Sequence, residues 1–165
     1  MTTSNFKVVT GVMEHHQNTY ILHRVNVTCK LEVCLTDDIS KRKELFQFER
    51  TGTIAPMMAI SEKYVIVNDL DSKQLISYDF VTKSTVIIYP YIALLGVHFV
   101  SDSQFLAVGE DKLIKYRIEE AMIIPVWICE NINSGYGICT DSHGVIYVVT
   151  RNNEQLIHVI SPAGI

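Results

Sequence analysis

Three strand-like runs stand at equal intervals along this chain. Tyr64-Val65-Ile66-Val67, Phe105-Leu106-Ala107-Val108 and Val145-Ile146-Tyr147-Val148-Val149 put Tyr64, Phe105 and Ile146 in register at steps of 41 residues. Polar turn material precedes each run, and a second strand-like run follows each: Leu75-Ile76-Ser77-Tyr78, Leu113-Ile114-Lys115-Tyr116 and Leu156-Ile157-His158-Val159. A further step back of 44 residues reaches Tyr20-Ile21-Leu22, followed by the strand-like stretch Val25 to Leu35. Each anchor also has a strand-like piece before it: Val8 to Met13, Met57 to Ile60, Gly96 to Val100 and Gly137 to Thr140. A fourth piece follows the second strand at Leu45 to Phe48, Thr85 to Tyr89 and Ile123 to Ile128. Helix signals are nearly absent, and Asp37 to Arg50 reads as a charged loop leading into a strand.

Four strands per unit of about 40–50 residues is the pattern of a β-propeller blade, which cannot bury both of its faces until neighbouring blades pack against it. The expected fold is therefore all-β, a single propeller domain over residues 1–165 with blades at about 8–50, 54–89, 93–129 and 135–165, each of four antiparallel strands. The last copy has no fourth strand after its third. Either Phe6-Lys7-Val8-Val9 supplies that strand and closes a small ring, or the four blades are part of a larger, six-bladed propeller. Four-bladed rings are the sparse end of the range, which favours the larger propeller. An open ring leaves unpaired edges, and self-association is expected of the chain alone.

Composition narrows the function classes. With 48% hydrophobic and 19% charged residues in 165, the chain is an ordinary globular domain, and its formal charge of −4 supplies no general attraction for phosphate backbones or anionic lipid. The start, Met1 to Lys7, lacks the apolar core of a secretory signal, and Val86 to Val97 is broken by Pro90 and too short to span a bilayer. A cytoplasmic location without membrane insertion is the expectation. Cys29, Cys34, Cys129 and Cys139 form no C-x-x-C pair, so neither a disulfide scaffold nor a zinc ribbon is indicated.

The last unit is the most distinctive. Gly137-Ile138-Cys139-Thr140-Asp141-Ser142-His143-Gly144-Val145-Ile146-Tyr147-Val148 runs on through Asn152-Asn153 to Ser161-Pro162-Ala163-Gly164, and this stretch resembles the NHL-repeat, YVTN-like propellers. Asp141 and Gly144 stand where a tight turn needs a side-chain acceptor and a permissive backbone. The resemblance covers residues 137–164 well and the earlier units loosely or hardly at all. It points to the C-terminal propeller of tripartite-motif ubiquitin ligases, in which the propeller recognises a substrate protein or RNA while a separate zinc-bearing RING performs ligation. No RING residues are present in this sequence.

The resemblance implies binding through the face shared by the loops between second and third strands and the loops between blades. On this chain those loops carry Asp69, Asp71 and Lys73, then Glu110 and Lys112, then Arg151, Asn152 and Asn153, with Tyr91 and Tyr136 from inter-blade loops. Tyrosines among mixed charges suit a protein partner. The expected function is a non-catalytic recognition module for another protein, with an RNA-binding propeller as the alternative and a calcium-dependent lactonase-like hydrolase as the second. RNA binding would draw on Lys41-Arg42-Lys43, diluted by Asp37, Asp38 and Glu44. A lactonase would need Glu14, Asn68, Glu110 or Asp141 to converge. Neither a Ser-His-Asp order with a nucleophile elbow nor a phosphate-binding glycine loop occurs, so no catalytic residue and no cofactor is assigned. No metal site is expected either: Asn68-Asp69-Leu70-Asp71-Ser72 lacks the glycine and glutamate of a calcium loop. Cys29 and Cys34, near His15, His16 and His23, point to opposite faces of one strand.

Overall fold

The computed structural model describes residues 7–50, 54–90, 92–120, 122–130, 132, 134–151 and 156–164. Fifteen strands form four antiparallel sheets, each a meander in chain order. The first holds β1 (Lys7–His15), β2 (Asn18–Val25), β3 (Thr28–Leu35) and β4 (Asp38–Glu49). The second holds β5 (Met57–Ile60), β6 (Tyr64–Asp69), β7 (Gln74–Asp79) and β8 (Thr85–Ile88). β9 (Leu94–Ser101), β10 (Gln104–Gly109), β11 (Lys112–Glu119) and β12 (Met122–Glu130) make the third, and β13 (Gly135–Thr140), β14 (Ile146–Thr150) and β15 (Ile157–Ile160) the last.

Side chains alternate across a strand, and this places one run of residues in two different cores. In β6, Val65 and Val67 pack with Tyr20, Leu22, Leu31 and Phe46 of the first sheet, while Tyr64 and Ile66 pack with Phe105, Ala107 and Tyr116 of the third. In β10, Phe105 and Ala107 face the second sheet, whereas Leu106 and Val108 join Ile146, Val148 and Ile160 of the fourth. The runs Tyr64-Val65-Ile66-Val67 and Phe105-Leu106-Ala107-Val108 of these anchor strands are therefore apolar on both faces and fully buried. Each large apolar side chain so buried contributes about 1.5–3 kcal/mol. Three cores join four sheets in sequence, and among the described residues none joins the fourth sheet to the first.

Polar clamps pin the seams between blades. Ser61 donates from Oγ to the Asp102 carbonyl at 3.0 Å, Asn68 donates from Nδ2 to the Leu94 carbonyl at 2.5 Å, and the His98 ring meets the Thr140 hydroxyl at 3.1 Å. The turns anticipated in the last unit are formed: the Asp141 carboxylate accepts from the His143 and Val145 amides, each at 2.9 Å. Gly164 donates to the Ser161 carbonyl at 2.9 Å. With φ +83, and with Trp127 2.8 Å from where a Cβ would stand, Gly164 lets that turn lie against the outer strand of the third blade.

Two expectations are corrected. Asp37 to Arg50 is not a loop followed by a short strand, because β4 starts at Asp38 and pairs with β3 from Leu35 onward. Bulges at Leu31/Glu32 and Val33/Leu35 fit the longer strand to the shorter one, and cross-strand ion pairs hold it: Lys30–Glu44 at 2.6 Å and Glu32–Arg42 at 3.7 Å. Nor do Val8 and Val9 supply an outer strand to the last blade. They pair within the first sheet, opposite Arg24 and His23.

The two end faces differ in chemistry. The first sheet's outward face carries the Lys30–Glu44 and Glu32–Arg42 pairs, with His23 3.6 Å from Glu32, beside the exposed Val9 and Val12. The outward face of the fourth sheet is apolar: Val149 is 45% exposed, Ile157 62% and Val159 65%. Such a face favours association. The chain alone is expected to self-associate in light scattering. The triple variant Val149→Thr/Ile157→Thr/Val159→Thr should shift it toward monomer, whereas Val8→Thr/Val12→Thr on β1 should not; an unchanged mass for the triple variant would refute this assignment.

Candidate functional site

The four innermost strands converge on a shared cleft. At the end formed by the β6–β7 and β10–β11 turns and the inter-blade loops, it opens into a cavity of about 590 Å³. Ile54, Pro56, Leu70 and Leu94 give it apolar walls, and Glu110, Tyr136 and Arg151 bring polar groups to it. Tyr136 is 43% exposed, and the Arg151 guanidinium lies over its ring, 5.4 Å from the centroid.

Backbone ties fix this rim. The Ser134 amide donates to the Glu110 carbonyl at 2.5 Å, the Ile132 amide to the Asp111 carbonyl at 3.2 Å, and the Arg151 amide to the Ser134 carbonyl at 2.9 Å. Tyr136 is the second residue of β13 and not a loop residue as expected, and the segment leading into that strand is thus bound to the turns on either side of it. Close approach of the innermost strands also depends on Gly96, where a Cβ would stand 2.8 Å from the Tyr136 carbonyl oxygen.

Of the residues singled out in the sequence, Glu110, Tyr136 and Arg151 come together in the cleft. Lys112 stands off, 3.5 Å from Glu130 on the neighbouring strand, and Lys73 occupies a positive-φ turn position (φ 49) on the exposed β6–β7 loop. Tyr91, Asn152 and Asn153 lie outside the described residues.

Asp69 is not a surface residue, which corrects its expected place on the binding loops. It is 0% exposed and takes the Arg50 Nε at 2.9 Å, while Arg50 Nη2 reaches the Asp71 carboxylate at 2.6 Å. Asp71 also accepts from the Ile54 amide at 2.7 Å. Both aspartates therefore serve the seam between the first two blades. Burial of Arg50 opposes its charge, but bonding to Asp71 and the fields of Asp69 and Cys29 hold its pKa above the ordinary arginine value. Sequence reading missed Arg50; its signal would have been a lone arginine ending a strand ahead of an Asp-x-Asp turn.

The four residues expected to serve a calcium-dependent hydrolase do not all converge. Asn68 and Glu110 line the cleft, but Asp141 is held in its turn at the opposite end of the last blade, and Glu14 lies near the far end of β1. The basic run Lys41-Arg42-Lys43 lies within β4, where Lys41 pairs with Asp38 at 3.2 Å and Arg42 with Glu32.

Four in-sequence antiparallel sheets, packed face to face around a shared cleft, are the β-propeller fold. Comparison with solved structures agrees. The chain superposes on Kluyveromyces lactis Hsv2 with a TM-score of 0.57 at 13% identity, over 93% of this chain and 45% of that one. On a candidate 6-phosphogluconolactonase of Bacteroides uniformis the TM-score is 0.62 at 12% identity, over 92% and 52% of the two chains. A similar candidate from Bacteroides fragilis gives 0.54 at 12%, over 93% and 60%. The chain spans about half the length of these structures. No protein-family model and no curated protein matches the sequence.

Two measurements check the seams. Arg50→Met leaves Asp69 buried without its counter-ion and should cost about 3–5 kcal/mol in denaturant unfolding, with Arg50→Met/Asp69→Asn costing clearly less. Burial holds the His98 pKa below the ordinary imidazole value of about 6.5. The unfolded chain therefore takes up a proton that the folded chain does not, so the His98 contribution is fully present above that value and declines as pH falls below it. Unfolding free energy should fall between about pH 7 and 5, with a shallower slope in His98→Gln.

Proposed function

We propose that this β-propeller chain is a non-catalytic recognition module that binds a segment of a protein partner in the cleft at Tyr136. The observation that carries the reading is the pairing of a part-exposed tyrosine and a stacked arginine with apolar walls in a cavity of about 590 Å³. Tyrosine and arginine are the side chains that most often anchor protein interfaces, because they bring large contact area with polar tips. Glu110 adds an acceptor for a basic or amide group on the ligand. The likeness of residues 137–164 to NHL repeats supports the same reading and extends it to a substrate-recognition part of a tripartite-motif-like ligase. Lactone hydrolysis is not proposed, since the carboxylates it would use stand at opposite ends of the blades.

RNA binding is the competing reading, because a tyrosine under an arginine can also stack a base. Against it stand the formal charge of −4 and the pairing of Lys41 and Arg42 with carboxylates. A displayed peptide library selected on the full chain should yield ligands whose affinity falls by about 2 kcal/mol or more in Tyr136→Ala and Arg151→Ala, with unfolding unchanged and little dependence on salt. Polyuridine binding that weakens steeply with salt and is lost in Arg151→Glu, with no peptide selected, would overturn the protein-binding reading.

A further inference from the structure

At the opposite end of the seam between the first two blades, His15, His16 and Glu62 bring their ligating atoms within 4.8 Å of one another. We propose that these three residues form a site for a zinc-class divalent transition metal that clamps the first blade to the second. Neighbours in a strand normally point to opposite faces, so two adjacent histidines should diverge. Here His15 ends β1 and His16 opens the turn with φ 54, in the left-handed region that histidine enters more readily than most residues, and the two rings come together with centroids 4.3 Å apart. Glu62 arrives from the turn between β5 and β6, 46 residues further along the chain.

The chemistry of the donor set selects the ion. Two imidazole nitrogens and one carboxylate are the three protein ligands of an open tetrahedral zinc site, and they offer too few oxygens for calcium or magnesium. His16 Nε2 is 2.5 Å from Glu62 Oε1, and His15 Nε2 is 3.6 Å from the same oxygen. Metal bonds of about 2.0–2.2 Å need ligand atoms roughly 3.3 Å apart in a tetrahedron, so small side-chain rotations suffice. His15 Nε2 is shielded from solvent and approaches Glu62 Oε1 at 3.6 Å, beyond the length of a normal hydrogen bond. A cavity of about 310 Å³ is lined by all three and by Asn18, Tyr20 and Phe80, which leaves room beside the ligands.

The test uses the full chain, stripped with chelator and titrated with zinc chloride by calorimetry, and with cobalt chloride by visible absorption. Binding of one zinc per chain at micromolar affinity, a tetrahedral cobalt spectrum and no competition by magnesium are expected. His16→Asn, which keeps a residue suited to positive φ, and Glu62→Gln should each weaken zinc at least about tenfold with unchanged circular dichroism. His143→Asn, in a turn of the last blade, should leave binding intact. Substoichiometric binding, wild-type affinity in His16→Asn and Glu62→Gln, or loss of zinc in Cys139→Ser instead would overturn the site.

Discussion

A β-strand with apolar side chains on both faces cannot be stable at the surface of anything. Tyr64-Val65-Ile66-Val67 and Phe105-Leu106-Ala107-Val108 are such strands, and each feeds two cores at once. One sheet can shield one face only, so every middle blade requires a neighbour on either side. Radial packing of successive meanders answers that requirement, and the cleft is where the four innermost strands meet.

Polar groups refine what burial imposes. Arg50 gives up solvent entirely at the first seam, and its two aspartates are spent on it, which removes Asp69 from any role in binding. A buried pair of this kind adds little net stability over a well-packed apolar pair, but it strongly penalises arrangements that separate the partners. It therefore specifies how the β6–β7 turn sits against the end of β4. At the third seam His98 and Thr140 play a lesser part of the same sort. The end faces extend the contrast, one bearing cross-strand ion pairs beside two valines and the other valine and isoleucine alone.

Much of this was legible in the residues. The 41-residue spacing, the period-2 alternation and the Asp141 turn all report local backbone preference, and the strands and turns formed where that preference put them. The charged stretch before Leu45 misled because its ion-pair partners, Lys30 and Glu32, are visible only once β3 and β4 are in register. In the cleft, a tyrosine between blades and an arginine after a strand were recognisable as contact residues, whereas the apolar wall of Ile54, Pro56, Leu70 and Leu94 comes from two loops and the start of β9.

The sequence by itself determined the architecture, because alternation and repeat length are properties of a chain read one residue after another. Tertiary structure alone decided the use of the charged and titratable groups. Whether an aspartate is a surface contact or the buried counter-ion of an arginine 19 residues away, and whether adjacent histidines meet a glutamate 46 residues on, depends on which blades touch. Electrostatic and coordinating interactions act over a few ångströms in space, and separation along the chain does not encode that distance.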